Sequence, residues 1–587
     1  MSVNPRKRKQ LTDDEIKQIF LDSDNEGDFK NESSCSESDD DGLPDNLAAI
    51  VKTEPEDACD VPDDDGGREP VASGGVEQVS SRSWRPARNF TPPGPEVVFE
   101  KQHCGVQIHP ESQTEAQCFK MLLTEELVQH IVKATNNYAL QLKKNVAPGV
   151  KGKLAKWQPT TVDEMYSFLV VILLMGIVKK SALRDYWSTD PMVMTPFFTS
   201  LFSQDRFLVL LRCLHFVDEE IENVSDPLYK IRDVQSGLIS AFNRVFVPYR
   251  DLCIDESLML WKGRLAFKQY IPRKKHRIGV KFFLLCDVLT GYVQDLIIYT
   301  GLTSDVKYHE GLGIAGSVVM TLLTPHLGKG HCLYVDNWYT NPTLFQHLLS
   351  LGTGACGTVR ANRKGMPAFT SKMSKGDVEF KENGNQLAVK WHDKREVHLL
   401  STIHKSTMSP TKKRDYTTGE KRIKPTCVVE YNKKMGAVDK SDMLNSFVEC
   451  IRKTTKWYKK IFFHLIDTAV LNSYIVHRKL SGKVIPYRDF RIQLMKELLM
   501  DHHVARCRSV GGRPSIDTPL RLKARHFPSE IPQTANQGRK TRRQCKVCQT
   551  STRRKQRRHV TKYQCEPCKT ALCAFPCFEE YHTLKHF

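Results

Sequence analysis

The sequence predicts an α/β protein with a split core, helical segments on both sides of that core, and a small Cys/His module at the end. Three observations predict it. Between residues 251 and 362 the hydrophobic pattern reads three strands, helix, strand, helix, strand, which is the order of a ribonuclease-H-like fold. Apolar residues recur at helical spacing over 115–250 and again from 453. Six of the 18 cysteines crowd into residues 545–577 in paired spacing, and the other twelve are scattered.

Composition narrows the function. A length of 587 residues suggests about four domains. The net charge of +20 is uneven: residues 1–100 hold 11 Lys+Arg against 24 Asp+Glu, and the remainder holds 76 against 43. An acidic leading segment on a strongly basic body points to a nucleic-acid partner. The scattered cysteines do not make a disulfide framework and suit a reducing compartment with one metal-binding region. The longest apolar run, Phe168 to Val178, is 11 residues with Gly176 inside it. That is too short to cross a bilayer. No secretory signal opens the sequence, so no membrane association is expected.

Residues 1–114 read as disordered: they are acidic and rich in Ser, Gly and Pro, as in Ser34-Cys-Ser-Glu-Ser-Asp-Asp-Asp41. Arg6-Lys-Arg-Lys9 has the form of a nuclear-localisation signal. Residues 115–250 read as a helical domain. Thr161 and Glu164 make a capping-box pair before the apolar helix, and Arg206 to Leu214 continues the pattern. The first part of the core, 251–362, opens with a strand over Leu252–Leu260. A hairpin follows, turning at Val288-Leu-Thr-Gly291, with Asp287 as turn chemistry. Then come a helix near 309–324, a strand to Val335, a helix from Pro342 and a strand over Ala355–Val359. Residues 363–427 are polar and strand-prone, with strands expected at Gln386–Trp391 and Glu396–Ile403, and read as an insertion. The core resumes over 428–452. A second helical part, 453–530, holds the amphipathic helix Trp457–Lys479. Polar residues 505–540 read as a linker, and 540–587 form the Cys-rich module.

Two sets of residues carry chemistry. Asp255 and Asp336 each follow a short apolar stretch, Leu252–Ile254 and Leu333–Val335, and Asp439 follows Met435-Gly-Ala-Val438. In the expected strand order the first and fourth strands are neighbours, so Asp255 and Asp336 can meet. Three carboxylates together could hold two Mg²⁺ or Mn²⁺ ions on a phosphodiester, because these hard cations take oxygen ligands. Asp442 shares a helical face with Asp439. The competing role of such aspartates is to end strands and cap helices. In the last 43 residues, Cys545-x₂-Cys548 and Cys565-x₂-Cys568 precede Cys573, Cys577, His582 and His586. Eight N/S ligands can close two tetrahedral Zn²⁺ sites. A cross-brace would join Cys545, Cys548, Cys573 and Cys577 at one zinc and Cys565, Cys568, His582 and His586 at the other, with His559 an alternative to His586. Arg553, Arg554, Arg557 and Arg558 crowd the loop between the first pairs and offer a phosphate-binding surface. Arg273, Lys274, Lys275, Arg277 and Lys281 form a second basic run beside the first core strand that could carry the DNA phosphate backbone.

These motifs occur together in one order. Arg206-Phe, Leu211-Arg-Cys-Leu-His215-Phe216, Tyr229-Lys-Ile-Arg232, Ile254-Asp-Glu-Ser257, Phe267-Lys-Gln-Tyr270, Tyr334-Val-Asp-Asn337, Gly357-Thr-Val-Arg360 and Met435-Gly-Ala-Val-Asp439 precede the terminal Cys/His module. From about residue 115 to the end the chain resembles the piggyBac family of transposases and the proteins derived from them. The resemblance implies a DDD core of Asp255, Asp336 and Asp439, with Asp442 as the accompanying aspartate. It implies that Trp457 lies near the transposon end and that the helical domain dimerises and binds double-stranded DNA. It further implies that the Cys-rich module reads terminal repeats, and that cutting runs by nicking and hairpin steps with insertion at TTAA. Two functions follow as expectations: an active nuclear transposase, or a domesticated DNA-binding descendant that does not cut. A RING-type ligase is a third reading of the zinc module, against which its basic loop and polar surface argue.

Overall fold

The computed structural model describes residues 52–53, 83–144, 153–218, 225–272, 277–414, 419–449, 456–503, 526–532, 542–584 and 587. Arg6–Lys9 and Gly511–Pro514 lie outside them. Two compact units divide the chain between Val504 and Ala505.

The first unit is organised on one mixed sheet. Its central strands are β1 (Asp251–Leu260), β2 (Ile278–Asp287), β3 (Val293–Ile298), β4 (Cys332–Val335) and β5 (Gly354–Thr358). They lie in the order β3-β2-β1-β4-β5. β2 runs antiparallel to β1 and β3, while β4 runs parallel to β1 and β5. This is the arrangement that the strand order predicts. Between β3 and β4 lies α1 (Gly313–Leu323), and between β4 and β5 lies α2 (Pro342–Ser350). Alternation along β1 sends Leu252 and Ile254 into one core with Val318, Val319, Leu344 and Phe345. Cys253 and Met259 point into the opposite core, with the flanking helices.

The β-rich insertion continues this sheet. β6 (Val378–Glu382), β7 (Leu387–His392) and β8 (Glu396–Ser401) form a meander, and β8 pairs antiparallel with β5. A separate two-stranded ribbon, Met408–Arg414 with Lys421–Pro425, follows.

Part of the leading segment is structured, contrary to the disorder expected of 1–114. Arg85–Pro86 pairs with β6, Trp84 Nε1 donates to Gly365 O at 2.9 Å, and Arg85 forms an ion pair with Glu382. Further on, the Phe99 ring meets His331 edge-on and Gly105–Val106 pairs with Phe246–Val247. The contacts are spread thinly along a polar strap, so no hydrophobic period reports them.

The helical region uses segments from both sides of the core. α3 (Val162–Ile177) is apolar on every side and buried, as such a helix must be. Thr161 caps it by accepting from Glu164 N at 3.2 Å. The Glu164 carboxylate does not complete the capping box: it accepts from Thr160 Oγ1 at 2.8 Å and from Arg206 Nε at 2.8 Å. A Cβ on Gly176 would lie 2.0 Å from Val448 O, so this glycine permits the close approach of two backbones. α4 (Trp457–Ser481) ends on Gly482 at φ 66° and packs with α5 (Tyr487–His502) against the earlier helices. Among the described residues no helix is long and apolar enough to cross a membrane.

A buried ion pair ties α4 to α5: Arg491 Nη2 lies 2.8 Å from Asp467 Oδ1, with side chains 0% and 2% exposed. Arg491 also donates to Tyr487 Oη at 3.2 Å and to Val448 O at 3.4 Å. Arg491→Met leaves the Asp467 charge buried without its cation and is expected to cost about 3–5 kcal/mol. The double variant Asp467→Leu/Arg491→Met should cost less, which thermal unfolding of the two proteins checks.

Candidate functional site

Adjacent parallel strands bring two of the expected aspartates together. The β1–β4 register pairs Ile254 with Val335, so the next residues, Asp255 within β1 and Asp336 just past the end of β4, lie side by side. Glu256 joins them: Asp255, Glu256 and Asp336 each offer a carboxylate oxygen, and these lie within 4.8 Å of one another. Their backbone is held in place. Asp255 Oδ1 accepts from Glu256 N at 2.9 Å, and Asp336 Oδ1 accepts from Trp338 N at 2.9 Å. Thr340 Oγ1 donates to Asp336 O at 2.8 Å, closing the turn before α2.

The electrostatics of the group fit a cation. Burial, and next the Glu256 charge, push the Asp336 carboxyl up to about 6. Like carboxylates at this separation resist ionising together unless a positive charge lies between them. Lys281 acts in the opposite sense, since its charge favours ionised Asp336. It is 3% exposed, and its ammonium sits 4.9 Å from the Phe283 ring, 4.9 Å from Trp338 and 5.6 Å from Tyr299. The expectation that Lys281 carries the DNA backbone is therefore corrected: strand alternation turns it into the core, behind the carboxylates.

Asp439 and Asp442 lie on α6 (Ala437–Val448), which packs on β1 and β2. Asp442 Oδ1 accepts from Ser257 Oγ at 2.7 Å, tying the helix to β1. Asp439 is exposed in the first turn and stands outside the Asp255–Glu256–Asp336 group. Its field reaches the same face of β1: burial first, then Asp255 and Asp439, raise the Cys253 thiol. The structure thus gathers Asp255 with Asp336, adds Glu256, and leaves Asp439 at the rim. Sequence reasoning passed over Glu256 because alternation assigns neighbours on a strand to opposite faces. The signal was the Asp-Glu pair itself.

The expected DNA contacts are placed as follows. Trp457 opens α4, half-buried and edge-on to Phe267 at 5.5 Å. Arg277 is exposed at the start of β2, and Lys274 and Lys275 lie outside the described residues.

In the second unit the cysteines form two groups. Cys545, Cys548, Cys573 and Cys577 gather as the cross-brace expectation has it. Cys548 Sγ lies 3.5 Å from Cys577 Sγ and 3.9 Å from Cys573 Sγ. Burial and the neighbouring thiols push Cys577 up to about 12, a conflict that a bound cation relieves. The other group is Cys565, Cys568 and His582 with His526. His526 Nδ1 lies 3.2 Å from Cys565 Sγ and 3.5 Å from Cys568 Sγ, and His582 Nε2 lies 3.5 Å from Cys568 Sγ. His582 Nδ1 pairs with Phe578 O at 2.7 Å, which turns Nε2 toward the thiols. The sequence reading placed His586 or His559 at this corner. His586 lies outside the described residues, and His559 Nδ1 sits 3.2 Å from Cys573 Sγ in the first group. His526 arrives because Pro528–Glu530 pairs antiparallel with Tyr563–Cys565, so the unit draws on residues read as linker. In the basic loop Arg553, Arg557 and Arg558 are exposed. Arg554 is exposed as well, paired with Glu580 and with its guanidinium 3.8 Å from Cys577 Sγ.

Comparison with known proteins places this site in a family. Residues 114–474, more than half of the chain, match the family model described as Transposase IS4. The human PiggyBac transposable element-derived protein 3 is 26% identical over 488 residues, spanning 80% of this chain and 76% of that protein. The human PiggyBac transposable element-derived protein 2 is 24% identical over 376 residues, 61% of each chain. The fold matches a solved piggyBac transposase synaptic complex with hairpin DNA at a TM-score of 0.62 and 24% identity, covering 81% of this chain and 98% of that one. With residues 114–474 matched by that model, the chain belongs to the transposase family it describes, and its 3-2-1-4-5 sheet and its length are similar to those of piggyBac transposases and the proteins derived from them.

Proposed function

We propose that this protein is a DNA transposase that binds the terminal repeats of its element as double-stranded DNA, acts as a homodimer in the nucleus, and cuts and joins strands with a preference for TTAA targets. The observation that carries the reading is the carboxylate group of Asp255 and Glu256 within β1 and Asp336 at the end of the adjacent β4. Asp255, Asp336 and Asp439 would hold Mg²⁺ or Mn²⁺, with Glu256 beside them. Two such cations, when bound, activate the attacking oxygen and stabilise the leaving one. The chain itself supplies rigidity and charge. β1 and β4 fix the two aspartates, Trp338 N holds the Asp336 carboxylate, and Lys281 favours its ionised form. The Ser257–Asp442 bond keeps α6 against β1. Two Zn²⁺ ions would order the Cys-rich unit, whose exposed Arg553, Arg557 and Arg558 suit phosphate.

The second reading is a domesticated DNA-binding protein without cutting activity. Asp439 favours it, since it stands outside the carboxylate group. A plasmid carrying matched terminal repeats tests the two. Excision with repair at TTAA supports the first, and repeat binding without excision supports the second.

A further inference from the structure

We infer that the two-stranded ribbon Met408–Arg414/Lys421–Pro425 is a clamp for the backbone of duplex DNA lying beyond the reacting end. The inference rests on the reading of this protein as a DNA transposase and adds a contact surface to it.

The ribbon is its own sheet, separate from the eleven-stranded one. Its strands read Met-Ser-Pro-Thr-Lys-Lys-Arg and Lys-Arg-Ile-Lys-Pro, with six cations and no carboxylate. Arg414, Lys421, Arg422 and Ile423 are exposed. A two-stranded ribbon with strands about 4.8 Å apart enters a major groove about 12 Å wide or lies along its phosphates. A basic surface of this density with an apolar residue left in water is poorly explained as a solvated hairpin.

The base of the ribbon is anchored and its cations are sorted by role. Lys424 Nζ lies 3.4 Å from Asp393 and 4.7 Å from the Trp391 ring, which fastens the ribbon to β7. Arg414 Nη1 donates to Gly419 O at 2.9 Å, so this cation is engaged within the ribbon. Lys421 and Arg422 are exposed.

Its position aims it at the substrate. The ribbon runs directly into α7 (Thr426–Lys434), pinned where Thr426 N donates to Thr407 O at 2.9 Å. On that helix Tyr431 Oη meets Thr358 Oγ1 at 3.3 Å. Thr358 follows Gly357, which pairs with Val335, so it neighbours Asp336 across the sheet. The ribbon therefore rises from the helix that packs beside the carboxylates.

The test measures duplex affinity against salt for the full chain and for Lys421→Gln/Arg422→Gln, both in the Asp336→Asn background so that no strand is cut. The probe is an end-containing duplex extending well past the cut site. Losing two phosphate contacts should flatten the log–log salt slope by about 1.8, whereas Lys307→Gln, an exposed control far from the ribbon in sequence, should leave it unchanged. A parent that binds with a slope the double variant does not alter overturns the clamp alone. A parent that binds no duplex overturns the clamp and the transposase reading together. An unchanged slope with faster proteolysis of residues 1–82 in the variant would give the ribbon to the chain's acidic leading segment instead, and also overturns the clamp.

Discussion

Asp336→Asn should abolish Mg²⁺- or Mn²⁺-dependent nicking of an end-containing duplex, while the protein still folds and binds the duplex. Asn keeps the volume and still accepts from Trp338 N, so the turn before α2 survives. What is lost is a negative charge in a group of three carboxylates. Loss of outer-shell partners alone costs roughly 10–100-fold at metal sites, so loss of a ligand should exceed about 100-fold. Asp255→Asn should behave the same way, and Asp439→Asn should also stop cutting if the first turn of α6 completes the site on DNA. Asp442→Asn should cost less, because its carboxylate accepts from Ser257 and serves position. Parallel cleavage and binding assays decide the matter. Equal cutting by Asp336→Asn and its parent ends the metal-site assignment.

Removing metal from the second unit should unfold it. Four of its nine buried core residues among those described are ligand cysteines, Cys545, Cys548, Cys565 and Cys577, which leaves only Val547, Leu572, Phe578, Tyr581 and Phe587 to pack around them. Without an ion these thiols contribute little packing and repel one another once ionised. A structural Zn²⁺ contributes on the order of 10 kcal/mol to such small units. Metal analysis of the full chain should find two zinc ions, and Cys548→Ser or His526→Ala should each release one. His586→Ala should release none, because His526 already closes the second group. A folded terminal unit free of metal would refute this.

Much of the design was legible in the residues. The strand order implies that Asp255 lies beside Asp336, because β1 and β4 are parallel neighbours and both aspartates follow apolar runs of matching register. The cysteine spacing gave one metal group outright. What escaped reading depends on pairing between distant segments. His526 lies before a polar stretch and reaches Cys565 only through the Pro528–Glu530 strand. β8 joins β5 by hydrogen bonds that leave no local signature, so nothing in the insertion shows that its strands extend the core sheet. Lys281 looks like any lysine in a basic run until three aromatic rings enclose it.

The strap before residue 106 has a consequence for solubility. β6 is the outermost strand of the meander, and an unpaired strand edge is a template for association with another chain. Arg85–Pro86 covers that edge, Ala87 N donates to Phe380 O at 2.9 Å, and proline presents no further donor outward. The acidic residues before 83 can be removed without touching this cover. Cutting a few residues further in would bare the edge, and the shortened protein should self-associate even though every catalytic and metal-binding side chain is still present.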